Sequence, residues 1–301
     1  MNRRQFLKMG ASAGAFALSC CPSKTASATE EAKEFVGVLV DTTRCTGCRR
    51  CEAACAKQNG LPVPDIEDPS VFERVRRTDT TAWTVVNRFE TDKGLVSVKG
   101  QCMHCNQPAC AAACLVKAML KKKDGPVIWR ESKCMGCRFC MISCPFDVPK
   151  FEYESPNPKI QKCNLCYTRL EKGERPACVE SCPVDALMFG PRREILNDAR
   201  ARIANNSDTY YPDVYGDTIA GGTGWLYLSS VPFEQIGLNP NLSKIAYPEY
   251  TKGFLYGVPV IFVLWPAMLA GMSLLTQRAE KAHAKEETEA QKKQKTAEEK
   301  G

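Results

Sequence analysis

Apolar residues along this chain fall into several short runs and one long one. "EFVGVLVD" (34–41), "AWTVVNRF" (82–89), "GLVSVKG" (94–100) and "GPVIWR" (125–130) are rich in β-branched and aromatic residues, which predicts strands. "REILNDARARIAN" (193–205) spaces its apolar residues at the helical period and predicts an amphipathic helix. Residues 207–250, rich in Gly, Pro, Asn and Tyr, predict a long connection. Beyond it, "GFLYGVPVIFVLWPAMLAGMSLL" (253–275) runs 23 residues without a charge.

As a helix rising ~1.5 Å per residue, that run is about 34 Å long, enough to cross a bilayer with slight tilt. Pro259 and Pro266 are tolerated better in lipid than in a soluble helix. The alternative is a buried core helix. Only Lys252 lies close before the run, whereas Arg278, Lys281 and Lys285 follow it. The positive-inside rule then predicts a cytoplasmic C-terminus and an external N-terminal portion. From Gln277 onward Lys and Glu are mixed almost evenly, the composition of a solvated helix.

The chain opens "MNRRQFLKMGASAGAFALSC". Arg3 and Arg4 precede Phe6, Leu7 and Lys8, a weakly apolar run follows, and Ala26-Ser27-Ala28 supplies a small-x-small cleavage site. This resembles a twin-arginine export signal over 1–28, an address rather than an anchor. "ALSCC" is a poor match to a lipoprotein cleavage box, so Cys20 and Cys21 are expected to leave with the signal.

The 301 residues are 44% hydrophobic, enough for one large or two small cores. A formal charge of +7, dispersed along the chain, gives no argument for nucleic acid. What changes the picture is 18 cysteines against 2 histidines. Past the signal, sixteen fall into four groups of four: Cys45, Cys48, Cys51, Cys55; Cys102, Cys105, Cys110, Cys114; Cys134, Cys137, Cys140, Cys144; and Cys163, Cys166, Cys178, Cys182.

Cysteines this close along the chain make a poor disulfide framework. Zinc is a better rival, since four thiolates suit it, but zinc sites usually pair two C-x2-C units. Here groups one and three add a third cysteine at the same interval, groups two and four widen that gap, and all four end in C-x3-C. Three thiolates on a tight loop can take three iron corners of a cubane, with backbone N–H groups donating to its sulfides. The fourth lies one helical turn on and points across the core. In the pattern C-x2-C-x2-C-x3-C-P that cysteine ligates the neighbouring cluster.

Crossing requires pairs of groups, and the consecutive groups two and three pair most simply. Cluster C is then expected on Cys102, Cys105, Cys110 and Cys144, and cluster D on Cys134, Cys137, Cys140 and Cys114. Groups one and four pair across that insertion, giving cluster A on Cys45, Cys48, Cys51 and Cys182, and cluster B on Cys163, Cys166, Cys178 and Cys55. The expected architecture is α+β: two interleaved bacterial-ferredoxin-like (βαββαβ-derived) modules holding four [4Fe–4S] clusters. The outer module comprises 29–94 and 151–206, the inserted one 95–150. A connection (207–252), a membrane helix (253–275) and a charged cytoplasmic tail (276–301) follow.

"CMGCRFCMISCPFDVPKFEY" and "KIQKCNLCYTRLEKGERPACVESCPVDALMFG" closely resemble the four-cluster ferredoxin-type subunits of respiratory oxidoreductases. That family includes electron-transfer subunits of formate dehydrogenase, dimethyl sulfoxide reductase, nitrite reductase and polysulfide reductase systems. Its clusters are ligated in the crossed pattern, and all sixteen cysteines are present here, so the resemblance implies four full cubanes. A twin-arginine signal with a C-terminal membrane helix is similar to the hydrogenase-2 type, as is "GGTGWLYLSSVPFEQIGLNPNL".

The resemblance implies a non-catalytic electron-transfer subunit on the periplasmic face of the bacterial inner membrane. Its partners would be a catalytic subunit, with a nickel–iron hydrogenase favoured over a formate dehydrogenase, and a membrane quinone-reactive subunit. No nucleophile–base pattern, phosphate loop or dinucleotide fingerprint stands out. His104, inside "CMHC", is expected to tune its surroundings or lie exposed rather than ligate. Arg44, Arg49, Arg50 and Arg138, nearest the cysteine loops, are expected on a solvated face.

Overall fold

The computed structural model describes residues 35–298. The predicted export signal therefore lies outside the described residues. In chain order the strands are β1 (Val36–Asp41), β2 (Val85–Thr91), β3 (Gly94–Gly100), β4 (Met119–Lys121), β5 (Val127–Trp129), β6 (Lys150–Phe151), β7 (Ile160–Gln161), β8 (Leu187–Pro191) and β9 (Trp225–Leu228). The helices are α1 (Arg50–Asn59), α2 (Ala109–Ala112), α3 (Phe139–Ile142), α4 (Tyr167–Leu170), α5 (Ala177–Glu180), α6 (Arg192–Asn205) and α7 (Glu249–Glu298).

β1 is the middle of a three-stranded sheet, antiparallel to β8 and parallel to β9. Val38 lies opposite Phe189 on one side and Trp225 on the other. Both faces are covered, so "VGVLV" is a continuous apolar run rather than an alternating one. Val38, Val40, Trp225 and Tyr227 turn toward the larger core, with Leu187, Phe233 and Ile236. Leu39, Leu226 and Leu228 turn the other way, onto Ile195, Leu196 and Ala199 of α6. Three antiparallel hairpins, β2–β3, β4–β5 and β6–β7, link the cysteine loops. β2–β3 crosses residue 94 and β6–β7 crosses residue 151, so both module boundaries read from the sequence fall inside hairpins.

Residues 207–250, expected as a connection, are folded onto this body. They supply β9 and bury Tyr215, Trp225, Tyr227, Phe233 and Ile236. A four-residue apolar run between Gly-rich and Ser residues carries little periodic signal; its burial is decided by β1, nearly two hundred residues earlier in the chain. α7 departs from the body, includes Pro259 and Pro266, and leaves Phe254, Phe262, Trp265 and Leu275 exposed. It is long and apolar enough to span a membrane.

Candidate metal centres

The four cysteine groups build one kind of loop. In each, the second residue after the first cysteine is left-handed: Gly47 (φ 74°), His104 (φ 47°), Gly136 (φ 71°) and Leu165 (φ 57°). Such a residue reverses the chain and returns the next thiol to the same side. Two of the four are glycines and legible in the sequence; His104 and Leu165 are not. His104 is 1% exposed, and its Nδ1 accepts from the Val127 N–H at 2.9 Å. Burial, reinforced by Lys162, Lys121 and Lys99, holds its imidazole pKa well below the usual value, so it is neutral. It serves as a buried brace between its own loop and β5.

Short helices carry the later cysteines. Cys51 and Cys55 share α1; Cys110, Cys140 and Cys178 lie on α2, α3 and α5, with Cys114, Cys144 and Cys182 just past their ends. Lys117, Asp147 and Asp185, each three residues beyond a fourth cysteine, are again left-handed and turn the chain out of the loop. α1 packs against α5 and α2 against α3, so a fourth cysteine is carried toward the loop of another group.

Three of the four expected sets each line one common space. Cys45, Cys48, Cys51 and Cys182 line site A; Cys55, Cys163, Cys166 and Cys178 line site B; Cys114, Cys134, Cys137 and Cys140 line site D. The members of site C neighbour one another electrostatically: Cys102 and Cys144 act on both Cys105 and Cys110. The sites follow in the order A, B, C, D. Lys99 borders both A and B, and Cys163 of B shares an apolar cluster with Cys102 and Cys144 of C. The contact of α2 with α3 joins C to D. Among the sixteen, only Cys48 and Cys137 are exposed, one at each end of the row, while all four cysteines of B are buried.

Burial pushes the Cys55 thiol up to about 12 against the pull of Lys99, Cys105 up to about 12, and Cys140 up to about 11. Thiolates in such interiors need a cationic counterpart, which coordinated iron supplies. Backbone donors already face the sulfurs: Ala118 N to Cys114 Sγ at 3.1 Å and Leu165 N to Cys163 Sγ at 3.4 Å. Among the described residues no three Cys, His, Asp or Glu side chains converge on a position for a single ion. Four thiolates at ~2.3 Å from one zinc would converge in that way. The donor set and its spread therefore fit [4Fe–4S] clusters.

The arginines divide. Arg44, Arg50 and Arg138 are exposed, Arg138 with its guanidinium 5.5 Å from the Phe151 and Tyr153 rings. Arg49 is buried instead, corrected from its expected solvated place by an ion pair with Glu52 and a bond to the Asp65 carbonyl at 2.6 Å. Arg49 and Arg138 share the same left-handed backbone before their helices (φ 59° in each), so the partners that Arg49 finds in Glu52 and the Asp65 and Asp68 carbonyls separate the two.

Thiol-lined sites on repeated ferredoxin-type loops define an iron–sulfur protein. Residues 95–192 match the family model described as a 4Fe-4S dicluster domain. The chain is 47% identical over 303 residues to a protein of Nitratidesulfovibrio vulgaris, covering 97% of this chain and 81% of that one. It is 33% identical to the hydrogenase-2 operon protein HybA of Escherichia coli O157:H7, covering 92% and 95%. It is also 33% identical to the iron–sulfur subunit of the nitrate-inducible formate dehydrogenase of Escherichia coli K12, covering 67% and 70%. The chain belongs to this family of iron–sulfur electron-transfer subunits, which are non-catalytic.

Proposed function

We propose that the chain is the wire of a respiratory complex, holding four [4Fe–4S] clusters on the crossed ligand sets A to D in two interleaved ferredoxin-like modules. The observation that carries this reading is the row of four thiol sites, buried in the middle and with an exposed thiol at each end. When bound, the clusters supply one-electron redox chemistry. The protein keeps them in sequence, excludes water from B, and leaves A and D within reach of partners.

One partner is a catalytic oxidoreductase subunit, favoured as a nickel–iron uptake hydrogenase, and the other an integral membrane quinone-reactive subunit. The near-complete mutual coverage with HybA supports the hydrogenase side. The formate dehydrogenase subunits, matched over about two thirds of the chain, support the second reading. Anchorage by α7 sets the wire on the membrane, and the basic residues after the apolar run favour the periplasmic face, reached by twin-arginine export. The root of α7 sits near site C. Ala220 N donates to Ser243 O and Gly221 N to Lys244 O, while Asn106, next to Cys105, donates to Gly222 O. That arrangement supports a reading in which the C–D end serves the membrane partner.

The test is anaerobic purification from detergent-solubilised membranes, with iron and acid-labile sulfide assayed, then dye reduction with hydrogen and with formate. About sixteen of each atom per chain are expected, four per cubane, with hydrogen-dependent activity from a co-purifying nickel–iron subunit. Formate-dependent activity alone moves the chain to the second reading. Zinc in place of iron would make it a structural scaffold and end the proposal.

A further inference from the structure

We infer that Lys99 is a shared counter-charge for sites A and B, setting the reduction potentials of both clusters upward together. The inference rests on the reading that these sites hold [4Fe–4S] clusters.

Lys99 is the last residue but one of the apolar strand "GLVSVKG", yet it is only 2% exposed. Its Nζ donates to Gln101 Oε1 at 2.8 Å and sits 4.4 Å from the centre of the Trp225 ring. Among the described residues, no carboxylate pairs with it. A buried ammonium left with one neutral acceptor and one aromatic face is poorly compensated, because burial removes its hydration. The anions it meets are thiolates. It borders the spaces of both A and B, facing Cys51 of the first and Cys55, Cys163 and Cys178 of the second.

Two other interior lysines differ. Lys162 donates to the carbonyls of Val127 and Cys163, and Lys121 to that of His104. Neither lines A and B together. Lys99 is also held in place from both ends: Gln101 Nε2 donates to the Tyr227 hydroxyl at 2.7 Å, and that hydroxyl donates to the Lys99 carbonyl at 2.8 Å. Trp225 and Tyr227 belong to β9, so the segment after the last cysteine fixes the charge between the first and last groups.

A thiolate-ligated cubane gains one negative charge on reduction. A fixed cation beside it favours the reduced form, and in a dry interior it does so strongly. One cation bordering two sites lifts both, so the A–B half of the wire accepts electrons more readily than its thiolates alone would dictate.

The test uses the full chain in its detergent-extracted complex, with midpoint potentials read by EPR-monitored redox titration and assigned to sites through single Cys→Ser variants. Lys99→Met, uncharged and of similar length, is expected to lower two potentials, those of A and B, so that the oxidised-to-reduced ratio at a fixed potential rises about tenfold, or ~59 mV. Lys99→Arg is expected to retain them. Should Lys99→Met lose iron, Gln101→Glu places a carboxylate against the same ammonium and is expected to lower the same two potentials. Potentials that stay put in an iron-replete variant, or that fall equally at all four sites, overturn the inference. A wild-type protein without iron and sulfide would instead overturn the underlying reading.

Discussion

Arg49 and Glu52 form an ion pair at 3.2 Å with both side chains almost wholly buried, at the start of the helix that carries Cys51 and Cys55. Glu52 also accepts from Arg76 and from the Val86 N–H at 2.5 Å, so one carboxylate ties the first cysteine loop to β2 and to the segment before it. Glu52→Ala leaves the Arg49 charge buried and uncompensated, at an expected cost of about 3–5 kcal/mol. Arg50→Ala, one residue along but exposed, is expected to cost less than about 0.5 kcal/mol. Chemical denaturation followed through cluster absorbance distinguishes them; equal stabilities would deny the pair its structural role.

Cys114 and Cys137 come from different cysteine groups but line the same space. Cys114→Ser and Cys137→Ser are therefore expected to abolish the same EPR signal. Each lowers iron by at most about four atoms per chain, the content of one cubane, and the double variant loses no more. Loss of two distinct signals would reassign the ligands.

Trp225 is wholly buried against β1, in a segment whose composition reads as a loop. Trp225→Ala is expected to destabilise the body by about 3–5 kcal/mol through the cavity it leaves. Leu95→Ala, at an exposed side chain, changes stability by under about 0.5 kcal/mol. Resistance to limited proteolysis reads the difference, and an intact, protease-resistant Trp225→Ala protein would mean that 207–250 is only a connection after all.

Gly221 and Gly60 are both left-handed, but their surroundings differ. A Cβ on Gly221 would lie 2.5 Å from the Ala246 Cβ at the root of α7, whereas one on Gly60 meets nothing within 4 Å. Gly60→Ala is expected to cost about 1 kcal/mol from backbone strain alone. Gly221→Ala adds about 1–3 kcal/mol of overpacking. Thermal melts of the two variants measure the gap, and no gap would mean that the helix root yields freely.

A chain ending at Lys252 lacks the apolar run. It is expected to leave the membrane fraction without detergent, because no other described helix is long and apolar enough to span. Retention in the pellet would assign attachment to partner contacts.

The sequence by itself determined whatever depends on neighbours along the chain. Cysteine type and spacing specify loops that present thiols to one side, and an uncharged run of 23 residues specifies a helix suited to lipid. The strands β1, β2, β3 and β5 and the helix α6 were legible for the same reason, since each carries its own periodic or β-branched signal. Tertiary structure decided what depends on distant partners. Adjacent arginines read alike until the fold sets Glu52 and the Asp65 and Asp68 carbonyls around Arg49 and leaves Arg50 in water. Lys99 reads as the polar end of a strand until β9 closes over it. "WLYL" becomes a core strand because β1 offers it a free edge, and His104 and Leu165 adopt left-handed turns that no glycine announces. Burial and charge compensation are properties of the assembled fold, so the electrostatic setting of the thiol sites emerges only there.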